Sequence, residues 1–250
     1  MRKRILLTGA EGFIGGYFKE NYNDVFEIDC FETDIRDFDV NMFDGYDFCI
    51  HLAGLAGVRL SHQIPEEFWD HNVNGSAQVF RSCKVARVPV IYASSSSVYE
   101  WWLSPYATTK KVVEQIAHPQ TLGLRFHTVY GPNSRKDMLY DRLVNRDPKL
   151  KYLTDHTRDY THVEDVCNAI ALCIKNYYNI DEAVIDVGAG KPVKVTDVAD
   201  KVWPGHNLPV KEVTGEREHT CADPAVLHSI GWYPMHNILE DEDETKEKVV

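Results

Sequence analysis

Apolar and polar positions along this chain follow two rhythms. Short apolar runs at residues 4–8, 25–29, 47–52, 89–93, 123–128 and 183–187 predict strands. Between them, apolar residues recur at helical spacing over 13–22, 65–86, 106–117 and 163–174. Phe68, Val73, Ala77 and Phe80 mark the buried stripe of the longest of these helices. Strand and helix alternate, which predicts an α/β protein built on a parallel sheet covered on both faces. The rhythm weakens over 131–155 and again after 188, where the late Pro and Gly turns gather. Those stretches are expected to form a smaller, discontinuous α/β lobe beside the sheet.

Composition narrows the picture. A chain of 250 residues, 44% of them hydrophobic, suits one large domain or a domain with a small lobe. The net charge of −11 argues against a nucleic-acid partner, which would call for a basic face. The acidic run at 240–248 reads as a solvated tail or frayed helix. No apolar run approaches the ~20 residues of a membrane span. The basic start, Met1-Arg2-Lys3-Arg4, leads into an apolar stretch too short for a signal peptide, so the expected location is cytoplasmic. Six cysteines form neither a CxxC pair nor a ligand spacing, and eleven histidines are scattered. His51 closes a strand and His162 opens a helix, each without a matched partner in the sequence. No metal site is expected.

The amino terminus carries the first chemistry. Thr8-Gly9-Ala10-Glu11-Gly12-Phe13-Ile14-Gly15 follows a strand and opens a helix, the context a dinucleotide fingerprint requires. Gly9 permits the tight turn, Gly12 lets backbone approach a pyrophosphate, and Gly15 lets the helix pack on the strand. The free N–H groups of the helix end then face phosphate. Asp29 ends the second strand, where a carboxylate accepts from ribose hydroxyls and repels a 2′-phosphate; this favours NAD over NADP. Asp34 is placed to meet the adenine edge. The stretch from Asp29 to Asp47 is too short for a full strand–helix–strand unit, so this flank looks trimmed. The predicted architecture is a Rossmann-type doubly wound sheet. The NAD-binding domain is expected at 1–128 and 158–187, and the smaller substrate lobe at 129–157 and 188–250.

A second constellation sits in mid-chain. Tyr106 and Lys110, spaced i and i+4, share one helix face. A free tyrosine is a poor base at neutral pH, and a neighbouring ammonium lowers its pKa. Ser95, at the end of the preceding strand, would share a substrate hydroxyl with Tyr106. The bland alternative is an exposed helical Tyr–Lys pair.

These residues carry a resemblance to the extended short-chain dehydrogenase/reductases, the NAD-dependent nucleotide-sugar epimerase/dehydratase family. It rests on the glycine turn, on His51-Leu52-Ala53-Gly54, Asn72-Val73-Asn74-Gly75 and the serine run, on Tyr106 to Lys110, and on Arg158-Asp159-Tyr160-Thr161-His162-Val163. It implies Ser95, Tyr106 and Lys110 as the catalytic set. It implies NAD contacts from Gly9, Gly12, Phe13, Ile14, Gly15, Asp29, Asp34, Ile35, Leu52, Ala53, Gly54 and Asn72, besides Tyr106 and Lys110. Ser96 and Ser97 stand where dehydratases and decarboxylases carry acids, which leaves oxidation and reduction at one carbon.

The strongest likeness is to UDP-glucuronate 4-epimerases, through segments 51–61, 123–138 and 158–163. It implies substrate contacts from Arg59, Ser96, Ser97, Thr128, Arg135 and Arg158, with Arg158 on the diphosphate. The implied mechanism takes the 4-hydroxyl proton at Tyr106, passes carbon 4 through a ketone, and inverts it. Alternatives kept open are a UDP-galactose-type epimerase, a keto-sugar reductase and a non-catalytic NAD-binding regulator. Helices 65–86 and 106–117 resemble a dimer contact in relatives, so a homodimer is expected. Departures lie around the sugar pocket. Only six residues separate Tyr99 from Tyr106, Glu100 replaces a usual glycine, and Val213 stands where relatives often carry arginine, with Arg217 close by. Trp101 and Trp102 are expected either to cover the sugar or to pack into the shortened region.

Overall fold

In the computed structural model, residues 2–241 are described; the acidic run beyond Asp241 lies outside them. The central sheet has six parallel strands in the order β2-β1-β3-β4-β5-β8. These are β1 (Arg4–Thr8), β2 (Glu27–Asp29), β3 (Phe48–His51), β4 (Val90–Ser95), β5 (Thr121–Phe126) and β8 (Val184–Val187). The chain turns from β1 outward to β2, then returns to lay β3 on the other side of β1. That reversal opens a crevice at the carboxyl ends of β1 and β3, where doubly wound sheets bind nucleotides.

Alternation along each strand feeds two cores. Ile5, Leu7, Ile50 and Leu124 pack against Phe18 of helix Phe13–Tyr22 and against Val166, Ile170 and Ile174 of helix Val163–Asn176. Leu6, Cys49, Val90 and Tyr92 face the other way, onto Val79, Phe80, Cys83 and Val113. Fully burying one such aliphatic side chain is worth about 2 kcal/mol, more than any helix propensity, so these two faces decide where the helices lie.

The trimmed flank is real. Residues 30–47 contain two short 3-10 turns, Ile35–Asp37 and Val40–Phe43, and no strand. Sheet growth therefore stops at β2. The helix expected over 65–86 forms, but not uniformly: Pro65–Phe68 and Gly75–Ala86 are α-helical, and Trp69–Asn74 between them is a π-helix. Gly75 N–H donates to the Asp70 carbonyl, one residue wider than an α turn.

The smaller lobe holds a three-stranded sheet, β6 (Thr128–Tyr130), β7 (Thr157–His162) and β9 (Pro192–Lys194), in the order β6-β7-β9. All of β7 but Thr157 falls inside the range expected for the NAD-binding unit, yet the strand pairs with β6 and β9. The lobe has its own core of Tyr130, Leu143, Leu153, Tyr160, Val195 and Val198. Asp159, fully buried on β7, stitches the lobe to the main sheet. Its carboxylate accepts from the N–H groups of Ala189, Gly190 and Ala222 at 3.0, 2.9 and 2.8 Å.

Candidate active site

The glycine turn has the geometry its sequence asks for. Gly9 adopts φ +76°, and a Cβ there would stand 2.5 Å from the Ala53 nitrogen. A Cβ on Gly15 would run into the Gly9 carbonyl. Both positions are closed to side chains by backbone, so helix, turn and the 52–54 loop are in close contact. Gly12 is solvent-exposed and is not crowded in this way; no side chain caps the helix it opens. Phe13 and Ile14 thus begin a helix whose first N–H groups face outward, a cradle that fits the phosphates of NAD. Thr8, at the end of β1, holds the neighbouring loop: its Oγ1 accepts from Ala53 N–H at 3.2 Å and bonds His51 Nδ1 at 2.8 Å. His51 Nε2 meets Ser76 at 2.9 Å. Burial, with the charge of Lys110 adding to it, pushes the His51 pKa down to about 3.

The adenosine end is more engaged than its sequence suggests. One Asp29 oxygen accepts from Tyr46 at 2.9 Å and from Arg4 at 3.3 Å. Asp34 caps the Ile35–Asp37 turn and is gripped by Arg36, which also bonds Asp70. Those bonds hold the Asp34 pKa at about 2. Ile35 is buried over Gly75, where a Cβ would come within 2.5 Å of its Cδ1.

Asn72, expected at the cofactor, is buried in the π-helix and its amide is committed elsewhere. Its Oδ1 accepts from Leu55 N–H at 2.7 Å, and its Nδ2 donates to the Leu55 carbonyl and Thr109 Oγ1, both at 3.0 Å. A Cβ on Gly54 would touch Asn72 and approach Lys110 Nζ at 3.7 Å. The π turn therefore brings Gly54, Asn72 and Lys110 to one point.

Tyr106 and Lys110 lie on helix Pro105–Ile116, which Ser104 caps through Ala107 N–H at 3.1 Å with Pro105 in the first turn. The Tyr106 ring meets Phe68 edge-on at 6.1 Å. Burial raises the Tyr106 pKa, and hydrogen bonding to Ser95 and the charge of Arg135 lower it. The charge of Arg135 thus bears on the phenol, a contribution the sequence did not suggest. Lys110 Nζ donates to the Ala93 carbonyl at 2.9 Å, and burial brings its pKa down to about 8. Ser95 ends β4; its Oγ donates to Ser97 Oγ at 3.1 Å and accepts from Ser97 N–H at 3.2 Å.

Arg59, Ser96, Ser97, Thr128, Arg135 and Arg158 all line one cleft of about 440 Å³ between the sheet and the smaller lobe. Its wall carries seven basic side chains and three acidic ones, the reverse of the chain's overall balance. Such a surface attracts an anion. Arg158 Nη2 meets His156 at 2.9 Å and stands 3.9 Å from Glu216, whose other oxygen takes Arg59 at 3.0 Å. Arg135 grips both oxygens of Asp137, at 3.0 and 2.9 Å. Trp101 and Trp102 are exposed and are absent from this cleft; Trp102 instead faces Trp69 and Pro65 on the outer surface.

Sequence reasoning missed Asp137 and Glu216 in the cleft, and noted Arg217 only as standing close to Val213. All three sit in segments without periodicity, and only their nearness to Arg135 and to the Gly215 turn hinted at a site.

Fold and crevice together define a dinucleotide-binding α/β protein whose cofactor edge adjoins a basic, sugar-sized cleft. The match to the NAD-dependent epimerase/dehydratase family covers residues 5–188, and the chain belongs to that family. Its cofactor is NAD. An uncharacterised protein of Methanocaldococcus jannaschii is 31% identical over 255 residues, covering 77% of this chain and 78% of that protein. A UDP-glucuronate 4-epimerase of Thermodesulfobacterium geofontis is 28% identical, covering 78% of each chain. Among solved structures, MoeE5 in complex with UDP-glucose and NAD superposes with a TM-score of 0.83 at 26% identity, over 95% of both chains.

Proposed function

We propose that this chain is an NAD-dependent UDP-sugar 4-epimerase that converts UDP-glucuronate to UDP-galacturonate. The observation that carries the reading is a basic cleft of sugar-nucleotide size bordered by the Ser95–Ser97 turn and by the first turn of the helix that bears Tyr106 and Lys110. The named activity of the Thermodesulfobacterium geofontis relative and the UDP-sugar held by MoeE5 support it.

Gly9, Gly12 and Gly15 would hold the pyrophosphate of NAD, Leu52 to Gly54 its central part, and Asp29 its adenosine ribose. Bound there, NAD would supply reversible hydride acceptance at carbon 4 of the sugar. Tyr106 takes the 4-hydroxyl proton and gives it back, a general-base role. Ser95 holds the same hydroxyl. Lys110, fixed on the Ala93 carbonyl, lies beside the cofactor loop and orients the ribose. Arg158 and Arg59 receive the diphosphate, with Glu216 as their partner until it arrives. Ser96, Ser97, Thr128 and Arg135 receive the sugar acid. The enzyme works in the cytoplasm as a homodimer joined through the helical stretch 65–86 and helix Pro105–Ile116; light scattering on the purified protein tests the dimer.

A second reading has one observation in its favour. Asp137 already neutralises Arg135, which suits a neutral sugar such as UDP-glucose or UDP-galactose. Incubation with UDP-glucuronate and with UDP-glucose, followed by separation of the products, decides between them. UDP-galacturonate from the first supports the acid-sugar reading. Turnover of UDP-glucose alone overturns it, and stoichiometric NADH would mark a dehydrogenase.

A further inference from the structure

Arg217 belongs to the loop that follows the Gly215 turn of the smaller lobe, yet it reaches across to the serine turn of the sheet. Its Nη1 donates to the Ser96 carbonyl at 2.9 Å. Its guanidinium lies over the Tyr99 ring at 5.3 Å, and Arg125 lies over the same ring at 4.9 Å. The Tyr99 hydroxyl donates to Asp186 at 2.8 Å, which fixes the ring against the sheet. Each of the two cations on this ring has its own acid: Glu114 holds Arg125 through both oxygens at 2.8 and 2.9 Å, and Glu100 stands beside Arg217.

The charge of Arg217 is incompletely matched. The side chain is 19% exposed, and its Nε is a buried donor without a hydrogen-bond partner among the described residues. The Glu100 carboxylate stands 3.5 Å from that Nε and is itself 40% exposed. Arg135, by contrast, has a bidentate partner in Asp137. Of the two arginines near the serine turn, Arg217 is the one held mainly by a carbonyl and a ring. A guanidinium so held is weakly hydrated and gains a charge-assisted bond when an anion arrives. It also fixes the backbone between Ser95 and Ser97, so the two hydroxyls beyond Ser95 are presented in one orientation.

We infer that Arg217 is a specificity-determining residue that selects sugars bearing an acidic group at the serine-turn end of the cleft. The inference rests on the UDP-sugar reading above. It assigns to Arg217 the preference for acid over neutral sugars, with Ser96 and Ser97 as the hydroxyl partners.

The test compares binding of UDP-glucuronate and UDP-glucose to the NAD-loaded protein by titration calorimetry. Wild type is expected to favour the acid sugar. Arg217→Gln should cut that preference by about tenfold or more, the scale of one lost hydrogen bond to a charged group. Arg217→Lys keeps the charge without the fork and should keep part of the preference. A melting curve shows that each variant is folded, and the Lys variant carries the test if the Gln variant is not. A preference unchanged in the folded variants overturns the inference. Equal weakening of both sugars also overturns it, because a residue that merely braces the serine turn or the diphosphate would act on both alike. A wild type without any preference overturns the acid-sugar reading and this inference together, whereas a preference that survives Arg217→Gln overturns this inference alone.

Discussion

Asn72 donates to Thr109 at 3.0 Å, and so a buried amide in a π-helix is tied to the residue beside Lys110. The same amide closes on both backbone groups of Leu55. Asn72→Ala leaves the part-buried N–H and carbonyl of Leu55 and the buried Thr109 hydroxyl without this partner, which costs about 1–3 kcal/mol in all. We predict a lower melting temperature and weakened NAD affinity, measured by calorimetry and cofactor titration. Unchanged values in both would mean the amide is not the tie between loop and helix.

Tyr106→Phe removes the phenol and keeps the ring against Phe68. Turnover should fall by roughly 10²- to 10⁴-fold, the usual share of a general base, with NAD binding retained. Parental kcat in this variant would remove Tyr106 from the chemistry.

Arg135 lowers the Tyr106 pKa by its charge, against the upward push of burial. Removing that charge leaves less phenolate at neutral pH. The acid limb of the kcat/KM profile should therefore move to higher pH in Arg135→Met and return part of the way in Arg135→Lys. A limb that stays in place would separate this guanidinium from the phenol.

His51 remains neutral in the fold, with a pKa of about 3 against an ordinary value of 6.5. Between those values the unfolded chain holds a proton that the folded one lacks, so stability falls as pH drops through that window. The contribution is on the order of a few kcal/mol. Comparing denaturant midpoints of wild type and His51→Gln from pH 7 to 4 should show a flatter dependence in the variant. Parallel curves would assign acid sensitivity to other groups.

Asp159→Asn turns an all-acceptor group into one with its own donors, facing three backbone N–H groups. A loss of about 2–4 kcal/mol is expected from denaturant unfolding, by analogy with other broken buried networks. A near-neutral change would show that the smaller lobe does not depend on this carboxylate.

Much of the sheet could be read from the chain because its signals are local. The run before Gly9, the turn and the helix from Phe13 to Tyr22 all fall where expected, and Asp29 ends β2 as the pattern implied. The same holds for the shortened stretch that follows. Legibility fails where partners are distant or where geometry leaves no trace in composition. Nothing in Trp69 to Asn74 announces a wider helical turn. β6 and β9 are three residues each, too short to show alternation, so the pairing of β7 with them leaves no trace in the sequence. In the cleft, the six expected sugar contacts line the same cavity, although they come from four separate stretches of the chain. Glu216 and Arg217 answer charges far away in the sequence, Arg59 and Glu100, which no spacing rule encodes.

The outermost position of β2 has its own consequence. An open sheet border is a template for sideways polymerisation, and this border is only three residues long. Glu27 and Asp29 place charge on it, and Arg4 answers both. By dispensing with a further strand, the protein ends its sheet on a stub too brief and too polar for another molecule to extend.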